Sequence, residues 1–516
     1  MKNLHYLYIL FLSFFCFACG ASKKAFDPDR KYSPEALQKD YRIFRHLLED
    51  WHPSLYWYTP RDTMNYYFDK GYAALKDSMT EPQFRTILSY VIARVDCGHT
   101  SIRSSRGYSH YQDTARLPQF PLILKFWADT MVVTVNLDRR DSLLKRGALI
   151  ERINGLTAAR LIDTLFPYLV TDGYNLTGKY QYLSTGLNFS NWYKNVFGYT
   201  DSFTVDYIDT SGLSREIRIP LYNPRGDTVR RAPVRSLTTT RPIGVPGPHR
   251  QRRPGRRTRK KRELQFARNL QVDSVNQTAF MTVNTFEHGN RLSRFFRQSF
   301  HTLQEKQIRN LIIDVRSNGG GDASNSTLLT RYLIDKNFKI ADSLYTIRRH
   351  SAYDRYIDKG LLYRVLTTLA SRKRSDGFYH FGYFERHVYS PRKKDHFDGQ
   401  VYILTGGNSF SATCLFAGAL KGQKNITLVG EETGGGSYGN TAWMIPAVTL
   451  PMTGVRFRLP RFRLVIDRQR EKTGKGILPD VPALPSVEAI SKGLDFKAAA
   501  VKDLIRQRTA QKDPHE

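Results

Sequence analysis

Apolar residues recur at helical spacing near the start of the chain. Leu37, Tyr41, Phe44, Leu48 and Trp51 fall on one face. Ser33 stands as an N-cap with Pro34 at the first helical position, and His52-Pro53 closes the run. A second helix is predicted from Thr80, where Thr80 and Gln83 form a capping box around Pro82. Its inner face carries Phe84, Ile87, Leu88, Val91, Ile92 and Val95, and Cys97-Gly98-His99-Thr100 follows it directly. From about 115 to 225 the pattern turns β-rich, with strands predicted at 122–124 and 131–135. Gly147 to Gly155 reads as a Gly-led strand closed by an Asn-Gly turn before a helix. From about 278 to 490, strands at 279–283, 311–315, 401–404 and 426–429 alternate with helices at 295–307 and 411–421, the order of an α/β fold. Each of the last three strands runs into a Gly-rich or polar loop. In a parallel sheet such loops share one edge, where sites assemble.

The length, 516 residues, calls for two to four domains, and 41% hydrophobic residues suffice to build their cores. The first residues read as a targeting signal rather than structure. Lys2 precedes an apolar run at 6–17, shorter than the roughly 20 residues of a membrane span. Ala18-Cys19-Gly20 then resembles a bacterial lipoprotein cleavage site, so Cys19 is expected to carry the lipid. The other cysteines are Cys16, Cys97 and Cys414, with no metal-type spacing among the four, and no metal or cofactor is expected. A disulfide between Cys97 and Cys414 stays open on geometry and compartment.

The net charge of +32 is concentrated: residues 225–262 hold fourteen Lys or Arg against one acid, Asp227, with five prolines. That stretch cannot build a core and reads as a flexible insertion. Either it is a solvated loop or it contacts anionic surfaces. Export makes nucleic acid an unexpected partner.

Three loops carry candidate chemistry. Asp314-Val-Arg-Ser-Asn-Gly-Gly-Gly321 follows a buried strand and frees backbone N–H groups to face a developing oxyanion. Thr405-Gly-Gly-Asn-Ser-Phe-Ser-Ala-Thr413 lands Ser411 at the start of a helix, where the dipole favours an alkoxide and the Ala412 N–H can donate. Helix capping by Ser409 or Ser411 is the plainer reading. Gly430-Glu-Glu-Thr-Gly-Gly-Gly436 follows the third strand and either lines the site or turns the chain.

Taken in order, these motifs, the His99-Thr100 pair and Gly476-Ile-Leu-Pro-Asp480 resemble the C-terminal-processing (tail-specific) serine peptidases, from about residue 33 to 490. The resemblance implies a multidomain α+β chain: a helical N-terminal region, a PDZ-like β module and a ClpP/crotonase-like α/β peptidase core. It implies Ser411 as nucleophile and the N–H groups of Gly320 and Ala412 as oxyanion hole. One branch of the family pairs the serine with a Lys, but Gly436 stands at that position here. The tricorn-core-like branch uses a His from the N-terminal region, which matches His99, and a neutral imidazole suits proton removal near neutral pH. For the third member, Glu471 is the nearest match and Asp467 its rival.

The expected organisation is a lipoprotein signal peptide at 1–19, a linker at 20–32 and a helical domain at 33–110. A PDZ-like domain at 111–224, the basic insertion at 225–265, the peptidase core at 266–490 and a C-terminal helix and tail at 491–516 follow. The expected function is a serine-type peptidase of the bacterial cell envelope. It would face the periplasm, anchored to a lipid membrane, and cleave exported polypeptides through an acyl-enzyme on Ser411. The other reading is a catalytically silent peptide- or ligand-binding lipoprotein on the same scaffold.

Overall fold

The computed structural model describes residues 26–209, 211–226 and 256–512. The expected leader, Cys19 and most of the basic segment lie outside the described residues.

The N-terminal region is built from helices α1 (Pro34–Trp51), α2 (Arg61–Ala73) and α3 (Glu81–Ala93). The Ser33 side chain caps α1, and the reciprocal Thr80–Gln83 box starts α3. Their apolar faces meet in one core that includes Leu37, Phe44, Trp51, Phe84, Leu88 and Val95. That core is shared with distant chain. Phe44 stacks edge-on against Phe457 at 5.2 Å, and Asp40 accepts hydrogen bonds from the N–H groups of Met452 and Thr453 at 3.0 and 2.8 Å. A short strand, Ile102–Arg103, follows the Cys97–Thr100 turn and pairs with Arg456–Arg458. The segment bearing His99 is therefore clamped on both sides.

The next module is a six-stranded antiparallel sheet whose path runs β1 (Leu122–Trp127), β2 (Thr130–Asn136), β3 (Leu149–Ile153), β4 (Ser202–Ile208) and β5 (Ser214–Pro220), with the short strand Leu156–Thr157 paired to β3 off that path. Asn154 and Gly155 turn at positive φ, 50° and 77°, before helix α4 (Ala158–Leu165). The stretch between β3 and β4, expected to be mostly β, also holds helices α5 (Leu176–Leu183) and α6 (Asn188–Phe197). Phe189 and Tyr193 of α6 enter the module's core beside Phe120 and Phe203.

The basic segment is not irregular to its end. Residues Arg256–Ala267 form helix α7, because the stretch after Pro254-Gly255 is free of Pro and rich in Arg, Lys, Glu, Leu and Gln, all good helix formers. α7 runs into β6 (Arg268–Asp273), which opens the central sheet. There β6 pairs antiparallel with β7 (Thr278–Val283), and β8 (Asn310–Asp314), β9 (Gln400–Thr405), β10 (Ile426–Gly430) and β11 (Val481–Pro482) follow in parallel.

Both faces of this sheet are covered. Leu311, Ile313, Val401 and Ile403 face α8 (Leu292–Glu305), α9 (Ala323–Arg331) and α10 (Ala412–Leu420). Ile312, Tyr402 and Leu404 face the C-terminal helix α11 (Phe496–Lys512) through Val501. Burial on two sides explains the unbroken apolar strands. Replacing Phe44 with Ala should cost about 3–5 kcal/mol of unfolding free energy, measured by denaturant titration. A loss under about 1 kcal/mol would mean that the shared core does not hold the N-terminal helices in place.

Candidate active site

The loops after β8, β9 and β10 converge at the carboxyl edge of the central sheet, and Ser411 stands among them. It precedes α10 with φ 58° and ψ −119°, a conformation that L residues rarely adopt. Such a backbone costs about 1–3 kcal/mol and persists where the surroundings over-determine it. The two candidate serines are distinguished by their partners. Ser409 Oγ is fully buried, donates to the Val315 carbonyl at 2.9 Å and accepts from the Gly406 N–H at 3.2 Å. It is spent on backbone. Ser411 Oγ instead meets His99 Nε2 at 2.9 Å, a contact between residues 312 positions apart.

His99 is 5% exposed and lies against the Phe410 ring, with centroids 4.6 Å apart. Gly98 is required beside it. A Cβ there would come within 2.6 Å of Phe410 Cζ, which would push the ring off the imidazole. Thr100 Oγ1 bonds His52 Nε2 at 2.8 Å and fixes the other side of the turn.

The group facing His99 Nδ1 is Asp172, at 3.9 Å. Its Oδ1 accepts from the Gly98 N–H at 2.8 Å and its Oδ2 from the Gly436 N–H at 3.2 Å. The loop that carries it is threaded between the other two regions. Gly173 N–H donates to the Asp96 carbonyl at 2.9 Å, Tyr174 N–H to Gly474 at 2.8 Å, and Asn175 Nδ2 to Thr433 at 2.5 Å. At 3.9 Å no hydrogen bond joins Nδ1 to the carboxylate, and Nδ1 is buried without a partner. Burial works against the charged imidazole, but Asp172 and Cys97 outweigh it and push His99 up to about 9. Burial likewise raises the Cys97 thiol, while His52 and His99 pull it below its usual range.

Sequence reasoning missed Asp172. Glu471, the expected third member, is exposed and has neither hydrogen bond nor ion pair to His99. Asp467 pairs with Arg470 at 3.3 Å and caps the Gln469 N–H at 2.9 Å. Both belong to a surface turn, whereas His99 is buried. Cys97 and Cys414 are both free and buried; the Cys414 thiol donates to the Ser409 carbonyl at 3.5 Å.

Of the two expected oxyanion donors, the Ala412 N–H has no hydrogen-bond partner among the described residues. Gly320 packs on Ser411 so closely that a Cβ would lie 2.7 Å from Ser411 Cβ. Its N–H, however, donates to Asn318 Oδ1 at 2.9 Å. A cavity of about 580 Å³ opens beside Ser411, walled by Gly321, Ile340, Phe384, Trp443 and Met444.

Residues 277–483 match the model of peptidase family S41. Among solved structures the chain is similar to mature CPAF complexed with lactacystin, at 14% identity and TM-score 0.60 over 93% of this chain and 99% of that one. It is similar to mature CPAF at 13% identity and TM-score 0.60, over 92% and 97%. The photosystem II D1 C-terminal processing protease aligns over 90% and 98% at 14% identity, with a TM-score of 0.37. At these identities the likeness to CPAF shows a shared fold. No curated protein matches the chain. Residues 277–483 are a peptidase family S41 domain, and the chain that carries it is a serine-type peptidase.

Proposed function

We propose that this peptidase cleaves polypeptides through an acyl-enzyme on Ser411, with His99 as general base and Asp172, rather than Glu471, as the group that stabilises the imidazolium. The observation that carries the reading is the 2.9 Å contact of His99 Nε2 with Ser411 Oγ. It lies within the reach that proton transfer requires. In the acylation step Nε2 takes the hydroxyl proton as Oγ attacks the scissile carbonyl. The Ala412 N–H meets the oxyanion, and Gly320 joins it once its N–H leaves Asn318. The imidazolium then protonates the departing amine, and a water activated by the same nitrogen releases the acyl group. Asp172 favours the charged ring throughout. Its 3.9 Å gap to Nδ1 closes as that charge develops, as catalytic contacts commonly tighten in the transition state.

The walls of Ile340, Phe384, Trp443 and Met444 favour a large apolar side chain next to the scissile bond. The sheet module before the core would present an extended segment of substrate, as PDZ-type modules do. The N-terminal apolar run and Cys19 support export and lipid anchoring, which puts exported polypeptides within reach. No helix among the described residues is long and apolar enough to cross a membrane. The open Nδ1 contact is what favours the alternative, a silent binding protein. Labelling by a fluorophosphonate probe separates the two, since only an activated serine reacts.

Ser411→Ala should abolish both labelling and turnover, whereas Ser409→Ala should mainly lower the melting temperature. Loss of labelling in the Ser409 variant alone would shift the nucleophile.

Asp172→Asn should lower kcat/KM by up to about 10⁴-fold, the scale of loss when the His-orienting carboxylate of a Ser-His-Asp triad is neutralised. Glu471→Ala should leave kcat/KM within about twofold, and the reverse ranking would restore Glu471.

The base must be neutral to act. With His99 pushed up to about 9, kcat/KM should rise with pH and level off only above that value. Removing the Asp172 charge should move the inflection down, because the carboxylate holds the imidazolium. An inflection that stays in place in Asp172→Asn would contradict the pairing.

A further inference from the structure

We propose that Cys97, His99 and Asp172 form a binding site for one zinc ion, and that filling it switches the peptidase off. The switching half rests on His99 being the base; the binding half does not.

A Cys97 sulfur, a His99 ring nitrogen and an Asp172 carboxylate oxygen all lie within 4.8 Å of one another. The three residues are 2%, 5% and 3% exposed, so the cluster is closed to bulk solvent. Independently of that spacing, His99 Nδ1 is a buried nitrogen with no hydrogen-bond partner, on the side of the ring away from Ser411. An orphan of this kind is costly unless something meets it.

One sulfur, one nitrogen and one carboxylate oxygen form a donor set suited to zinc rather than to magnesium or calcium, which prefer all-oxygen sites. Zinc bonds of about 2.0–2.3 Å put tetrahedral ligand atoms roughly 3.3–3.7 Å apart. The cluster needs to contract by at most about 1.5 Å to reach that, with a fourth position left for water. Binding at Nδ1 releases the proton held there by the His99 ring to solvent, while Cys97, whose thiol His52 and His99 already pull down, ligates as the thiolate. The thiolate and the carboxylate then balance the two charges of the ion, which makes burial tolerable. Entry requires the His99 ring to swing aside, so binding should be slow.

The effect on the reaction follows from the tautomer. A neutral imidazole has one N–H and one lone pair. With zinc on Nδ1, the proton must sit on Nε2, the atom 2.9 Å from Ser411 Oγ. Nε2 then donates and can no longer accept the hydroxyl proton. Zinc also holds Asp172 to itself and away from any imidazolium.

The test begins with the full chain as Ser411→Ala, which cannot cleave itself and keeps all three ligands. After chelation it should bind one Zn²⁺ per chain more than the Cys97→Ala/Ser411→Ala double variant, by metal analysis after gel filtration. Mg²⁺ and Ca²⁺ should show no such difference. Equal Zn²⁺ binding by the two chains, both folded by circular dichroism, overturns the site. Cys97→Ser serves as the second variant should the Ala change fail to fold.

In the chain with Ser411 intact, stoichiometric Zn²⁺ should lower the fluorophosphonate labelling rate at least tenfold, and chelator should restore it. In Cys97→Ser the ratio of rates with and without Zn²⁺ should return to near one. Inhibition that persists in Cys97→Ser would put the inhibitory ion elsewhere and overturn the switch. Cys97-dependent binding with no loss of labelling would also overturn the switch, and with it the role of His99 as base.

Discussion

The site depends on a single buried carboxylate that holds three distant parts of the chain together. Asp172 accepts the N–H of Gly98 from the N-terminal helical region and the N–H of Gly436 from the peptidase core, and its own loop belongs to the sheet module between them. Two backbone donors leave that carboxylate little freedom, and it faces His99 Nδ1 as a consequence. Remove this bridge and His99 would lose its tie to the loop after β10, leaving the Phe410 ring, the Thr100–His52 bond and the pairing of Ile102–Arg103 with Arg456–Arg458 to hold it near Ser411. A carboxylate so held is a structural clamp, and in the proposed mechanism it is also the negative charge behind the imidazole.

Around the clamp, close backbone packing leaves no room for side chains. Gly98 is fitted under Phe410, and Gly320 is fitted against Ser411 and Ala412. The strained φ of Ser411 is sustained by the same crowding: Phe410 N–H is held by the Asn318 carbonyl at 3.1 Å and Thr413 Oγ1 donates to it at 2.9 Å. The Ser411 loop is thereby nailed to the Gly-rich loop after β8. The sheet supplies the rigid edge, and the loops supply the chemistry.

Local physics made much of this legible in advance. The capping residues Ser33 and Thr80, the two-sided apolar strands of the core and the Ser411 turn all announce themselves within a few residues. His99 and Ser411 could be paired from their motifs, although 312 positions separate them. Asp172 could not. In sequence, Thr171-Asp172-Gly173 is an ordinary turn, and its meaning comes from threading between Asp96 and Gly474. Glu471 was drawn in by order along the chain, but its surface turn keeps it exposed. A further sheet of the core, with Ser343–Thr346 paired to Tyr379–His380 and Arg463–Val465, escaped because its strands are too short to show a period. Buried Arg461 and Arg463 escaped as well, since charged residues read as surface; stacking on Trp51 and Trp57 at 3.4 and 3.7 Å is what accommodates them.

The proposed catalysis turns on which group stands behind the imidazole when Ser411 reacts. A crystal structure of the chain with a phosphonate bonded to Ser411 Oγ reports this directly, because the adduct mimics the tetrahedral intermediate and leaves His99 charged. The account predicts that Nδ1 closes on Asp172 Oδ1 from 3.9 Å to a hydrogen bond of about 3.2 Å or less, with the Ala412 N–H on the phosphonyl oxygen. An adduct in which Nδ1 bonds Glu471 instead, or in which Asp172 stays beyond hydrogen-bond distance, would contradict it.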